Sequence, residues 1–174
     1  MSNTYDVKVE KENSIDDINM ALGDFYWVIA NPLSSIKLID TIGDEFCYDS
    51  NGGFKFLEVP ESLLKMKMPI KKNDRVRIST DCNEITELIV GDTIGDFLRA
   101  IERGLNRKPN SDNSQISEYV YARIGMFGDK KYQSRLIKKF KNGTLQYRDL
   151  LGDHIFWEGG LERENGLWCY SVGS

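Results

Sequence analysis

At 174 residues, with 40% hydrophobic and 29% charged side chains, the chain fits one ordinary domain that can bury about 70% of its unfolded surface without a disulfide or metal staple. Its three cysteines, Cys47, Cys82 and Cys169, are far apart and lack C-x-x-C spacing, which argues against a secreted disulfide framework and for free core thiols. No apolar run approaches the ~20 residues that span a bilayer, and the polar, acidic N-terminus has no signal-like apolar region. The expectation is therefore a soluble, cytoplasmic protein without membrane contact.

Residues 1–13 read as a polar lead-in, and residues 14–174 as a single domain. Ser14-Ile-Asp-Asp17 fits a capping box and opens a short helix to Leu22. Asp24 to Ala30 is a near-continuous apolar run, rich in aromatic and β-branched residues, and is expected as a central strand ended by Asn31-Pro32. Ser35 to Asp40 is the next strand. Glu45–Asp49 and Phe54–Glu58 flank Ser50-Asn-Gly-Gly53, a hairpin signal. Pro60 and Pro69 bracket a short helix or irregular arm. Arg75–Ser79 alternates with Val76 and Ile78 inward, and Ile85–Val90 is a further strand.

Thr93-Ile-Gly-Asp96 is a second capping box. Ile94, Phe97, Leu98, Ile101 and Leu105 then fall on one helical face. Residues 106–115 are polar, without an evident packing residue, and are expected to form a mobile loop. Ser117 to Ile124 alternates as a strand would, with Val120, Ala122 and Ile124 on one face and Tyr119, Tyr121 and Arg123 on the other. His154–Trp157 and Leu167–Val172 should pair around Asn165-Gly166. Strands outnumber helices and are joined by hairpin-length loops. The fold expected is therefore α+β: a mostly antiparallel twisted sheet with two or three packed helices, the 94–105 helix and the 130–141 helix covering one face.

The segment Asp129 to Gly143, DKKYQSRLIKKFKNG, inverts the sign of a chain whose formal net charge is −4. Lys130, Lys131, Arg135, Lys138, Lys139 and Lys141 occupy most of the circumference of one helix, while Tyr132, Leu136, Ile137 and Phe140 share an apolar arc. Six cations on a short helix repel one another unless a partner neutralises them. An acidic protein, a nucleic acid, or the chain's own acidic segments would each serve. Tyr119, Tyr121 and Arg123 could add a stacking platform for single-stranded bases.

Other chemistry is thinly supported. His154, the only histidine, lies beside Asp153 and could act as a general base. With no second histidine a His-rich zinc site is excluded, and no G-x-S-x-G elbow occurs. Asp149, Asp153, Glu158, Glu162 and Glu164 could hold a divalent cation or sit on a solvated rim, and their spacing matches no EF-hand. Gly91-x-x-x-Gly95 lacks the Lys-Ser/Thr of a phosphate loop. No cofactor and no catalytic or metal-ligating residue is assigned.

Two segments, Tyr147-Arg-Asp-Leu-Leu-Gly-Asp-His-Ile-Phe-Trp-Glu-Gly-Gly160 and Gly91-Asp-Thr-Ile-Gly-Asp-Phe-Leu-Arg-Ala-Ile101, together resemble uncharacterised proteins of giant DNA viruses that infect amoebae. The resemblance implies a viral protein working in host cytoplasm and carries over no catalytic residue. The function expected from the residues themselves is a non-catalytic module that presents Lys130, Lys131, Arg135, Lys138 and Lys139 to an acidic protein surface. RNA or DNA binding through the same helix with Tyr119, Tyr121 and Arg123 is the alternative, and a small hydrolase-type enzyme centred on His154 is the third. Homo-oligomerisation, including recruitment through an exposed strand edge, stays open.

Overall fold

A computed structural model describes residues 13–23, 25–42, 45–80, 83–152 and 156–173. Helix α1 (Ile15–Leu22) starts at a complete capping box, in which Ser14 and Asp17 each satisfy the other's backbone amide. It buries Ile18 and Leu22 and lies along the last hairpin. Strand β1 is only Phe25–Tyr26, and it sits at the end of its sheet rather than in the centre. The apolar run that suggests a longer strand is apolar for another reason. Trp27 and Ile29 are both 1% exposed, and they enter the core from a turn closed by the Asn31 amide on Val28 O at 2.8 Å.

A single 3₁₀ turn, Leu33–Ser35, precedes β2 (Lys37–Ile39). Strands β3 (Thr41–Ile42) and β4 (Glu45–Phe46) pair as a small ribbon, and β5 (Phe56–Glu58) returns to β2. The expected hairpin is present, with Tyr48 opposite Phe54 and the Asp49 carboxylate accepting the amides of Asn51 at 2.8 Å and Gly53 at 3.0 Å. One helical turn, α2 (Glu61–Leu64), then leads to the main sheet.

That sheet has the order β7-β6-β9-β8, with β6 (Arg75–Thr80), β7 (Asn83–Leu88), β8 (Phe156–Glu164) and β9 (Leu167–Gly173). Both hairpins are antiparallel, and they meet through a short parallel ladder between β6 and β9. Val76 and Ile78 are 0% exposed, as their alternation requires. The β8–β9 turn is Asn165-Gly166, both with positive φ (51° and 79°), the geometry that matches strand twist. Helix α3 (Ile94–Asn106) covers the sheet, its five predicted apolar residues all 0% exposed. Phe97 fits between Trp157 and Trp168, with ring centroids 6.5 and 6.0 Å away.

Two expectations fail in the segment that follows. Residues 114–126 are helix α4 (Ser114–Met126), not a strand. The alternating residues also satisfy a helical spacing, Ile116, Tyr119, Val120, Arg123, Ile124 and Phe127, and Asn113 caps it by accepting the Ile116 amide at 3.1 Å. The loop before it does hold a packing residue, since Pro109 is buried. Helix α5 (Lys130–Lys141) is as predicted, but it rests on α4 and not on the sheet. Tyr121 meets Phe140 edge-on at 5.5 Å, and a second 3₁₀ turn, Tyr147–Leu150, lies beneath the pair. The fold is α+β, with five α-helices and antiparallel-rich sheets among the described residues.

The joint between the two hairpins is made by Asp74, 3% exposed. Its carboxylate accepts Arg163 Nε at 2.8 Å, Arg163 Nη2 at 3.1 Å, Trp168 Nε1 at 2.9 Å and the Lys71 amide at 3.0 Å. Burial opposes the charge, but these hydrogen bonds and the Arg163 charge outweigh it and hold the pKa at about 2, below the ordinary 3.8. Because the pKa is lowered on folding, this stabilisation is complete above 3.8 and is lost as pH falls towards about 2. Asp74→Asn should cost about 3–5 kcal/mol at neutral pH, and the gap from wild type should narrow in urea titrations run at progressively lower pH through that window. A constant gap would show that the charge is not what stabilises. Phe97→Ala should cost about 3–5 kcal/mol by the same titration.

Candidate functional site: the basic helix

Helix α5 begins at Asp129, whose side chain accepts the amides of Lys131 at 2.7 Å and Tyr132 at 3.3 Å. It ends at Asn142 and at Gly143, which has φ of 64°. The last turn holds Lys138, Lys139 and Lys141, cations placed where the helix dipole favours them. Leu136 (1% exposed) and Phe140 (5%) anchor the inner face, with Tyr132 and Ile137 half-buried beside them. The Tyr132 hydroxyl donates to Asp149 O at 3.3 Å, and Gln133 donates to the carbonyls of Gly125 and Phe127 at the end of α4.

The six cations do not share one fate. Lys139 is neutralised by Asp149, 2.7 Å away. Asp149 also receives the Gln146 amide at 3.0 Å, so this member of the predicted acidic rim is a structural brace. Arg135 lies over the Tyr132 ring at 4.8 Å and Lys130 reaches only the Gln133 amide oxygen at 3.5 Å. Among the described residues no carboxylate forms an ion pair with Lys130, Lys131, Arg135, Lys138 or Lys141, and all five side chains are exposed. Lys131 and Arg135, with Asp129 and Tyr132, border a shallow cleft of about 280 Å³.

The predicted stacking platform is not assembled. Arg123 is 5% exposed, donating from Nε to Leu150 O at 2.8 Å and from Nη2 to Leu151 O at 2.9 Å, with its guanidinium 5.1 Å from the Phe127 ring centre. Helical geometry turns it inward, where a strand would have set it beside the tyrosines. Tyr119 packs half-buried against the core, and Tyr121, 43% exposed, is engaged with Phe140. Arg123 is thus a clamp between α4 and the chain entering β8. Basic residues at a strand-like position carry no signal for that role. The i, +4 spacing from Tyr119 through Arg123 to Phe127 does.

His154, Asp153 and Cys82 lie outside the described residues. Glu158, Glu162 and Glu164 are exposed along β8, and no cluster of three metal-ligating side chains occurs among the described residues. Cys47 and Cys169 are free and half-buried rather than fully in the core. No described helix is long and apolar enough to cross a membrane. No protein-family model matches the chain, and neither does any curated protein or solved structure.

The clamp depends on a close approach at Gly152. Its φ is 71°, and a Cβ there would lie 2.7 Å from Arg123 Nη2 and 3.1 Å from the Phe127 ring. Gly152→Ala should cost about 1–3 kcal/mol, and Arg123→Met at least about 2 kcal/mol by stripping two carbonyls of their donor. Both act on the same contact, so the double variant should lose less than the sum. Strict additivity in chemical denaturation would separate them.

Proposed function

We propose that the chain is a non-catalytic binding module whose contact surface is the outer face of α5, presented to an acidic protein surface. The observation that carries this is the unequal treatment of cations. Lys37, Lys55, Lys65, Lys67, Arg99, Arg103, Arg107 and Arg163 all face carboxylates of the chain itself. Lys71, Lys72, Arg75, Lys108 and Arg148 have no such partner among the described residues, but they are scattered, whereas α5 gathers five such bases on one helix. No carboxylate among the described residues neutralises these five, so their mutual repulsion is left for an outside partner to relieve. Lys130, Lys131, Arg135, Lys138 and Lys141 form the contact set, with Lys139 withdrawn from it by Asp149. Burial of Arg123 and partial burial of Tyr119 weaken the stacking platform that single-stranded nucleic acid uses, which supports a protein partner over single-stranded RNA or DNA.

The test is a titration of the full chain with a labelled oligoglutamate peptide and, in parallel, with single- and double-stranded oligonucleotides at several salt concentrations. The peptide should bind, weaken with salt, and lose at least about tenfold in affinity in the variant Lys131→Glu/Arg135→Glu/Lys138→Glu. Tighter oligonucleotide binding, with a log–log salt slope of about −0.7 to −0.9 per phosphate, would transfer the surface to nucleic acid. Flat titrations with every probe at low salt would remove α5 as a contact surface.

A further inference from the structure

The sheet edges of this chain are finished in different ways. The outer edge of β7 is blocked by α3, where Arg103 Nη2 donates to Leu88 O at 2.7 Å and Arg107 Nη1 to Thr86 O at 3.4 Å. Glu87 holds both guanidinium groups. The edge of β8 is blocked by Asn19 of α1, which donates to Leu161 O at 3.1 Å and accepts the Leu161 amide at 2.7 Å, imitating a neighbouring strand. Nearer its start, Trp27 O accepts the Trp157 amide at 3.0 Å. Unpaired edges are templates for another strand, and proteins cover them in such ways.

The β5 edge is left open. The strand is last in the order β1-β2-β5. Lys55 turns both backbone groups inward, its N–H to Cys47 O at 2.9 Å and its C=O to the Asp40 amide at 2.8 Å. Alternation then points the backbone of Phe54, Phe56 and Glu58 outward, and among the described residues no strand pairs with that side. The side chains there are apolar and exposed: Phe54 39%, Phe56 42% and Leu57 43%. Aromatic neighbours extend the patch, Phe46 at 5.4 Å and Tyr48 at 5.6 Å from Phe54, and Tyr26 at 4.8 Å from Phe56.

We infer that this edge joins two copies of the chain, β5 against β5 in antiparallel pairing. Residues 54–58 carry one cation and one anion, Lys55 and Glu58, each already paired within the chain to Asp40 and Lys37. The edge therefore carries no net charge with which to select an acidic or a basic peptide. It is, however, self-complementary. A twofold axis normal to the sheet keeps opposed residues on the same face, which fixes the axis on a residue and not between two. Centred on Phe56, it sets Phe56 opposite its own copy, Phe54 opposite Glu58, and Lys55 opposite Leu57. No like charges oppose, the outward backbone groups of Phe56 bond to their symmetry mates, and the two aromatic patches become one.

The experiment is the mass of the full chain by sedimentation or light scattering over a wide dilution series. Wild type should pass from one copy to two as concentration rises. Phe56→Pro removes an outward N–H and leaves the inward ladder to β2 intact. It and the variant Phe54→Lys/Phe56→Lys should each remain single copies where wild type is paired, with unchanged far-ultraviolet circular dichroism. The variant Lys131→Glu/Arg135→Glu/Lys138→Glu should pair as wild type does, which separates this interface from the α5 surface. Wild type that stays a single copy throughout, edge variants that pair normally, or loss of pairing on reversing the α5 charges would each overturn the inference.

Discussion

One buried carboxylate decides whether the two long hairpins of this chain close into one four-stranded sheet. The β6–β7 and β8–β9 hairpins each pair strands that are close in sequence. What unites them is a parallel ladder of only two residue pairs, Arg75 with Leu167 and Val76 with Trp168, too short to fix a register by itself. Asp74 stands at its foot and takes donors from β8, from β9 and from its own loop, while its carbonyl accepts the Ile89 amide at 3.0 Å. The Arg75 amide reaches Gly166 O at 2.9 Å across the same junction. Burying a charge is costly unless every lone pair finds a donor. That requirement makes Asp74 selective: a slipped register would strand it. The Phe97, Trp157 and Trp168 core forms beneath this junction, so the packing of α3 depends on it too.

The helical half is attached by a second polar device of the same kind. Helices α4 and α5 pack on each other, and their polar link to the rest of the molecule runs through Arg123, Tyr132 and Lys139, all directed at the 3₁₀ turn and Leu151 after it. Polar contacts demand specific geometry where apolar ones tolerate sliding. Helix α5 is thereby held at a fixed angle, with Leu136 and Phe140 inward and its open cations outward. A recognition surface benefits from this, because a pre-ordered face loses less freedom on binding.

Local rules were readable in the chain and distant pairings were not. Ser14/Asp17 and Thr93/Asp96 form the two capping boxes their spacing announces, and Asn165-Gly166 turns the last hairpin. Each depends on residues within a few positions. Residues 117–124 misled because β-branched and aromatic residues at every second position also fill a helical stripe when Ile116, Val120 and Ile124 recur at intervals of four. The run 24–30 misled because burial alone makes a segment apolar. Asp74 and Arg163, 89 positions apart, leave no local trace. The basic helix was legible to its boundaries. Which of its cations remain open was not, because that depends on where Asp149 comes to lie.

The geometry of those open cations sets a condition on whatever meets them. Lys131, Arg135 and Lys138 follow at intervals of four and three along α5, so they form one stripe spanning about 10 Å of axis. Lys139 lies on the adjoining flank and is drawn by Asp149 towards the body of the protein, which gives the stripe a neutral border on that side. At physiological ionic strength charges separated by about 8 Å or more act nearly independently. A single carboxylate therefore cannot neutralise the whole stripe, however well it is placed. Relief of the repulsion along α5 requires several acidic groups at matching intervals, as on one face of an acidic helix. If α5 is the contact surface proposed above, a lone acidic side chain would gain little from it, and the spacing itself would prefer extended acidic patches to isolated ones.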